Sequence, residues 1–348
     1  MNICKLGDIA KFTTGKLNSN AAQDNGKYPF FTCAPEALKI DDYAFDTEAI
    51  ILAGNNADGN FHIQHFKGKF NAYQRTYVIE SSDENKVYTK YLYYALKTCL
   101  LHFKQISQGS ATKFLTAKIL NSFELPIPEI EIQKKIAGTL GNLDKKIKTN
   151  EAINENLADQ AQAIYQQFFL IEADPNWPFG HLSDLINVKY GKDHKKLADG
   201  VYPVYGSGGI MRYVERPLYE KESVLIPRKG TLNNVMYVNQ PFWSVDTMFY
   251  TEMKQTNVAK FVYHFVKSKD LASMNAGSAV PSMTTAILNA LELRIPSAEA
   301  LLQFENSVAP MYEMMKKNED QSRKLTELRD ALLPKLMSGE IDVSDLDL

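Results

Sequence analysis

Cysteine is scarce. Cys4, Cys33 and Cys99 are scattered and odd in number in 348 residues, with no Cys-x-x-Cys pair, so a disulfide framework is excluded and a reducing compartment fits. No apolar run reaches the roughly 20 residues that a membrane helix needs. The opening residues Met1 to Asp8 carry no apolar core of a signal peptide, so a cytoplasmic location is expected. An excess of one charge is missing as well: 39 Lys+Arg stand against 41 Asp+Glu. Two chemistry-bearing motifs are also absent. There is no Gly-x4-Gly-Lys-Ser/Thr phosphate loop, which argues against an ATPase or motor. There is no Asp/Asn-Pro-Pro-Tyr/Phe, which an amino-group methyltransferase should carry.

The charge is unevenly distributed. Residues 1–129 carry 14 basic against 13 acidic residues, and 172–296 carry 14 against 12. Residues 130–171 balance at 5 and 5, while 297–348 hold 6 against 11. The acid therefore sits in the C-terminal segment, and the two larger segments are slightly basic. Nucleic-acid binding needs a basic face rather than a basic protein, so it stays open, with weak binding expected of the chain alone.

The chain repeats itself. Leu6-Gly7-Asp8-Ile9 followed by Gly15-Lys16 returns as Leu182-Ser183-Asp184-Leu185 followed by Gly191-Lys192, and Tyr28-Pro29 returns as Tyr202-Pro203. Gly109-Ser110-Ala111, Thr116, Ile119-Leu120-Asn121, Glu124-Leu125 and Ile127-Pro128 recur 168 positions later, from Gly277-Ser278-Ala279 to Ile295-Pro296. Each half reads as a mixed α/β module. Ala49–Gly54 and Ser223–Pro227 are expected as buried strands, and Phe70–Glu80 and Phe242–Glu252 likewise. Helices are expected over Thr89–Phe103 and Val258–Lys269.

After each module a stripe keeps alternating steps of four and three. The first runs Ile136, Leu140, Leu143, Ile147, Asn150, Asn154, Leu157, Ala161, Ile164, Phe168. The second runs Phe304, Val308, Met311, Met315, Asn318, Ser322, Leu325, Arg329, Leu332, Leu336. This is a coiled-coil seam, with two helices each roughly 55 Å long at 1.5 Å per residue; the plainer alternative is two amphipathic helices, each lying on its own module. If the halves are two-fold related, the helices run antiparallel and Asn150 meets Asn318. Leu143 then faces Leu325, and Leu157 faces Met311. The expected fold is α+β, with two pseudo-two-fold-related modules separated by two long antiparallel coiled-coil helices. The expected divisions are 1–129, 130–171, 172–296 and 297–348.

Leu325-Thr326-Glu327-Leu328-Arg329-Asp330-Ala331-Leu332-Leu333-Pro334-Lys335-Leu336-Met337-Ser338-Gly339-Glu340-Ile341 resembles the second spacer of type I restriction-modification specificity subunits. Ile127-Pro128, Gln133-Lys134-Lys135-Ile136 and Leu143-Asp144 resemble the first. The resemblance covers the whole chain. It implies two target-recognition domains reading a bipartite, asymmetric DNA site, with the helices as a ruler. It also implies that the helices carry two adenine-methylating modification subunits, which motor-nuclease restriction subunits join. S-adenosylmethionine, ATP and Mg would then belong to those partners, and this chain would bind no cofactor and catalyse nothing. The alternatives are a fused or free-standing restriction or modification enzyme with an unrecognised site, and a coiled-coil scaffold without DNA function.

Residues that read base edges are Arg, Lys, Asn and Gln, with Ser and Thr as adaptable donors. In the first half the candidates are Lys16, Asn18, Asn55, Asn56, Lys67, Lys69, Gln74, Arg75, Gln108, Ser110, Thr112 and Lys113. In the second they are Lys192, His194, Lys195, Lys196, Ser207, Arg212, Arg228, Lys229, Asn233, Asn234, Ser278 and Ser282. Taken singly, each is more readily a solvated surface residue; their clustering at strand ends favours a nucleic-acid face. The Gly-Ser-Ala turns at 109 and 277 could offer N–H groups to phosphates or cap the helix that follows. Gly206-Ser207-Gly208-Gly209 reads as a tight turn rather than a cofactor cradle. Asp246, Glu252 and Lys254 superficially resemble a nuclease triad, at too short a spacing. His62 and His65 read as an exposed loop pair rather than metal ligands, and no metal is expected.

Overall fold

The computed structural model describes residues 2–274 and 282–343. The first module contains β1 (Asn2–Lys5), α1 (Leu6–Ile9), β2 (Ala10–Thr14), β3 (Tyr28–Phe31), β4 (Leu38–Ile40), β5 (Phe45–Ala53), β6 (Asn55–Asn56), β7 (Ile63–Ala72) and β8 (Thr76–Ser81). It continues with α2 (Thr89–Thr98), α3 (Leu100–Ile106), β9 (Lys113–Phe114), α4 (Ala117–Ser122) and β10 (Glu124–Ile127), and leads into α5 (Ile130–Gln166). The second contains β11 (Phe179–His181), α6 (Leu182–Leu185), β12 (Ile186–Tyr190), β13 (Asp199–Gly206), β14 (Gly209–Val214), β15 (Ser223–Pro227), β16 (Met236–Val238), β17 (Trp243–Ser244) and β18 (Met248–Met253). Helices α7 (Ala259–Lys267) and α8 (Thr285–Asn289), strand β19 (Glu292–Arg294) and the long α9 (Ala298–Ser338) complete it. Contacts divide the chain into one unit of Met1–Asn150 with Asp320–Leu348, and a second of Glu151–Glu319. Each unit therefore uses part of α5 and part of α9.

In the first unit a six-stranded sheet runs β2-β8-β5-β7-β3-β4, parallel only between β3 and β7. The apolar run of β5 is buried on both faces, and the period-two alternation of a strand sorts it. Ile50 and Leu52 join the core under α2, while Ala49 and Ile51 join Phe31, Phe70 and Val78 on the other face. The first core continues into Ile136, Ala137 and Leu140 of α5 and Leu333, Leu336 and Met337 of α9. Gln133, fully buried, ties α5 to the module. Its Oε1 accepts from the Tyr88 N–H at 2.8 Å, and its Nε2 donates to the Lys86 and Pro128 carbonyls, both at 2.8 Å.

The second unit has sheets β12-β18-β15-β16 and β14-β13-β17. Val224 and Ile226 of β15 face the core with Phe261, Val262, Ala161, Tyr165, Leu301 and Phe304, and Leu225 faces Val204, Phe242 and Met248. The repeat is thus visible in packing. It is visible in the connections too: α1 and α6 stand at equivalent positions, and β1–β10 pairs as β11–β19 does. Gly15 and Gly191 explain the Gly-Lys signature at each start, because a Cβ there would fall on the carbonyls of Ala72 and Val245. Thr116 and Thr284 cap α4 and α8, accepting from Ile119 N at 3.3 Å and Ile287 N at 3.2 Å. Of the two roles left open for the Gly109-Ser110-Ala111 turn, the helix cap is filled by Thr116, because the turn ends before the helix.

Phe70–Glu80 and Phe242–Glu252 are not single strands. Thr76 N bonds back to Tyr73 O and Met248 N to Val245 O, both at 2.9 Å, so each run breaks at a turn. The helix expected over Thr89–Phe103 is likewise split at Cys99 into α2 and α3.

The α5 and α9 segments are antiparallel within each unit. In the first, Asp144 meets Arg329 at 2.8 Å, and Asn150 Nδ2 donates to Gln321 Oε1 at 2.9 Å and Ser322 Oγ at 3.2 Å. In the second, Asn318 Nδ2 donates to Asn154 Oδ1 at 2.8 Å, and Asn154 Nδ2 to Met315 O at 3.0 Å. These partners lie four residues on from the layers expected from Asn150 opposite Asn318, so Leu143 lies beside the Arg329 level rather than that of Leu325. The shifted register still obeys the repeat: Asn150–Ser322 and Asn154–Asn318 are the same pair at an offset of 168, two polar layers in place of one.

The module-to-helix joints differ. Tyr94 donates to Asp144, which also holds Arg329. The equivalent position holds His264, 2% exposed, whose Nδ1 lies 2.8 Å from Gln162 Oε1 and whose Nε2 lies 2.9 Å from the Tyr312 hydroxyl. A neutral imidazole satisfies both, its Nδ1–H donating to Gln162 and its Nε2 accepting from Tyr312. Burial, with nearby Lys267, pushes its pKa down to about 4. Below pH 6.5 the unfolded chain takes up a proton that the folded one refuses. This contribution is complete above pH 6.5 and is lost as pH falls towards 4, by at most about 1.4 kcal/mol per pH unit. Urea unfolding at pH 7, 6 and 5 should show His264→Gln losing this part of the slope. Parallel pH profiles for the two proteins would contradict a neutral buried His264.

Candidate nucleic-acid interface

The break between β7 and β8 builds the first cluster. Gly54 N donates to Arg75 O at 2.9 Å, and Gln74 N donates to Leu17 O at 2.9 Å, joining the ends of β2, β5 and β8. A Cβ on Gly54 would collide with the Arg75 carbonyl, so glycine permits the approach. β6 pairs with β9, Asn55 opposite Phe114 and Asn56 opposite Lys113, and Gln108 and Phe114 exchange backbone bonds of 3.0 and 2.8 Å. Gln74 Nε2 donates to Asn18 Oδ1 at 2.7 Å. Cys33 Sγ donates to Asn55 Oδ1 at 2.9 Å. The turn of exposed Gly109, at φ +101°, with Ser110 and Thr112 follows Gln108.

This region gathers Asn18, Asn55, Asn56, Gln74, Arg75, Gln108, Ser110, Thr112 and Lys113, with exposed Lys16 next to the Leu17–Tyr73 bridge. Asn56 is partly occupied, its Oδ1 accepting from Asp58 N at 2.9 Å and Asn60 N at 3.1 Å. Lys67 and Lys69 stand apart, towards the opposite end of the β5–β7 ladder, opposite Glu48 and Asp46. Lys67 pairs with Glu48 at 2.9 Å, and Lys69 lies 4.6 Å from the Tyr43 ring centroid. Lys104, whose Nζ donates to Asn60 Oδ1 at 2.8 Å, joins the cluster; its place on α3 gives no loop signal in the sequence.

The second cluster stands at the same strand ends. Arg228 N donates to Thr247 O at 2.8 Å as Gly54 N does to Arg75 O, and Met283 N donates to Arg228 O at 2.9 Å as Leu115 N does to Gly54 O. Lys229 bridges Ser282 where β6 meets β9. Asn234 Nδ2 donates to Ser207 O at 2.7 Å, bringing the two-residue turn after Gly206 alongside. Lys192 N donates to Ser244 O at 2.8 Å, and exposed Lys195 and Lys196 follow with half-buried His194.

Two candidates here have internal duties. Arg212 donates to Leu197 O at 3.0 Å and to Asp199 at 2.6 Å. Asn233 bonds Asp270 Oδ1 at 3.1 Å and accepts from Ala272 N at 3.0 Å. The Ser273 hydroxyl and the Asn233 amide together hold the Asp270 carboxyl below the usual carboxylate range. Ser278 lies outside the described residues.

Asp246, Glu252 and Lys254 do not converge. Glu252 pairs with Lys189 at 3.5 Å near the far end of β18, whereas Asp246 lies in the turn before that strand begins. Lys254 Nζ donates to Ser183 O at 2.6 Å. His65 is not in a loop: it sits in β7 with Nε2 2.9 Å from Glu48. Among the described residues no group of three or more His, Cys, Asp or Glu is placed to hold a metal ion, and no helix is long and apolar enough to cross a membrane.

Two α/β modules, each closed by long helices and each presenting basic and amide side chains at one strand end, define an internally duplicated recognition protein. The family described as type I restriction modification DNA specificity domain matches residues 1–159 and 175–307. The chain belongs to that family and is a type I restriction-modification specificity subunit. The EcoDI type I restriction enzyme specificity subunit of Escherichia coli is 38% identical over 153 residues, 44% of this chain and 33% of that protein. The MjaIX specificity subunit of Methanocaldococcus jannaschii is 26% identical over 306 residues, 75% of this chain and 71% of that one. The crystal structure of a type I restriction-modification S subunit from M. genitalium shares the fold at a TM-score of 0.66 and 20% identity, over 96% of this chain and 95% of that one. A free-standing enzyme is not what these relatives are named.

Because Arg212 is engaged within its own module, Arg212→Ala should lower the unfolding free energy by about 1 kcal/mol in urea titration, with DNA affinity unchanged. Lost affinity at unchanged stability would return Arg212 to the interface.

Proposed function

We propose that this chain selects the DNA sequence for a type I restriction-modification complex, reading a bipartite, asymmetric site with one strand-end cluster for each half. The observation that carries this reading is the construction of the same cluster twice, from equivalent backbone bonds and different side chains. Asn55, Asn56, Gln74 and Arg75 stand in one cluster where Arg228, Lys229 and Asp246 stand in the other. A duplicated frame with different donors and acceptors suits two unlike half-sites, since amides favour adenine edges and guanidinium groups favour guanine edges. Lys16, Lys113, Lys192 and Lys229 would supply phosphate contacts that position the duplex without reading it.

In this proposal α5 and α9, of 37 and 41 residues, act as the ruler that sets the unread gap. They also carry two adenine-methylating modification subunits, with motor-nuclease restriction subunits joining for cleavage. S-adenosylmethionine, ATP and Mg belong to those partners, and none is bound by this chain. The near-neutral total charge agrees with a subunit that chooses the sequence while its partners supply much of the grip. The compartment is the cytoplasm, in keeping with three free cysteines.

The test mixes the chain with its cognate modification subunits, a methyl donor and a random duplex library, then sequences the methylated products. Adenine methylation at one bipartite sequence, requiring both chains, is expected. Methylation or cleavage by this chain alone would overturn the proposal.

A further inference from the structure

We propose that Arg75 and Arg228 are the specificity-determining residues through which each cluster recognises one guanine of its half-site. The inference rests on the DNA-reading function above and deepens it.

The chain has seven arginines. Arg212 is held by Asp199, Arg323 by Asp320, and Arg329 by Asp144 and Asp330. Arg294 donates to the carbonyls of Pro175 and Trp177. Arg216 follows β14, at the end of the β13–β14 hairpin away from the Gly206–Gly209 turn. Arg75 and Arg228 remain, one in each cluster.

They are not repeat equivalents, yet they occupy the two sides of one backbone bond that both units make. Gly54 N donates to Arg75 O in the first unit, and Arg228 N donates to Thr247 O in the second. Each module thus brings an arginine to the same strand junction from opposite strands. Each arginine also rests on an aromatic shelf: the Arg75 guanidinium carbon lies 5.7 Å from the Phe114 ring centroid, and that of Arg228 5.4 Å from the Tyr190 centroid. Phe114 is fixed by its two backbone bonds to Gln108, and Tyr190 by its place opposite Phe249 in β12–β18. Arg228 Nη1 additionally donates to Asp246 O at 3.2 Å. Among the described residues no carboxylate lies within ion-pair distance of either guanidinium.

An unneutralised guanidinium resting near a ring keeps its charge and its planar donor fork available before DNA arrives. That fork matches the O6 and N7 acceptors of guanine in the major groove. A phosphate needs only a positive charge, which the surrounding lysines supply without a shelf.

The experiment compares the reconstituted methyltransferase complex, on the random duplex library, for the wild type, Arg75→Ala, Arg75→Lys, Arg228→Ala and Phe114→Leu. Thermal unfolding of each subunit establishes that it is folded. The wild-type target should hold a guanine in each half. Arg75→Ala should lower discrimination at a single position of one half about ten- to a hundredfold, and Arg228→Ala at a single position of the other. Arg75→Lys should not restore discrimination, and Phe114→Leu should weaken the same position as Arg75→Ala while leaving the salt dependence unchanged. Uniform weakening across all positions, with a salt slope lower by about one, would identify a phosphate contact and overturn the proposal. A wild-type half-site without guanine would overturn it equally. Absence of any site-specific methylation by the wild-type complex would instead be the failure of the DNA-reading function itself.

Discussion

Everything in this chain depends on how each module closes its core. The first module cannot bury its α2 face without Ile136, Ala137 and Leu140 from α5 and Leu333, Leu336 and Met337 from α9. The second needs Ala161 and Tyr165 from α5 and Leu301, Phe304 and Val308 from α9. The helices are therefore part of both hydrophobic cores as well as connectors. Burial at roughly 25 cal/mol per Å² of apolar surface makes these contacts the main stabilising contribution at the joints. The polar layers and the Asp144–Arg329 pair act on register more than on strength, because a shifted helix would leave their donors and acceptors unpaired.

The duplication, the two modules and the two long helices were legible in the residues, because a repeat of ordered motifs and a four-three stripe are carried by local spacing. The buried strands β5 and β15 were legible for the same reason. The breaks at Tyr73–Arg75 and Val245–Thr247 were not, since β-favouring residues flank Gln74 and Asp246 on both sides, and long-range bonds to Leu17, Gly54 and Arg228 accompany the local turn bonds. The helix register lies one seam step from the one expected, because apolar residues lie beyond the two polar positions of each stripe and a shift of four preserves most apolar layers. The caps Thr116 and Thr284 were not legible, since a Gly-Ser-Ala turn shortly before each helix offers either a cap or phosphate contacts.

The candidate site was legible as a set of loops but not as a set of roles. Residue type cannot separate Arg212, spent on Asp199 and Leu197, from Arg228, held on Tyr190. Asn233 and Lys67 are similarly engaged within the protein, with Asp270 and Glu48. The aromatic shelves Phe114 and Tyr190 carry no distinguishing sequence signal, because isolated aromatics in β-rich segments more often belong to a core. Both clusters share a frame of backbone bonds and carry different side chains on it; in the proposed reading the frame is architecture and the side chains choose the target.

That separation is tested most directly by exchanging residues 172–296 for the corresponding module of a family member with a different target, then sequencing the sites methylated by the reconstituted complex. The account predicts that one half-site changes to the donor's while the other half-site and the gap stay as they were. A change in both half-sites, or in the gap, would contradict it.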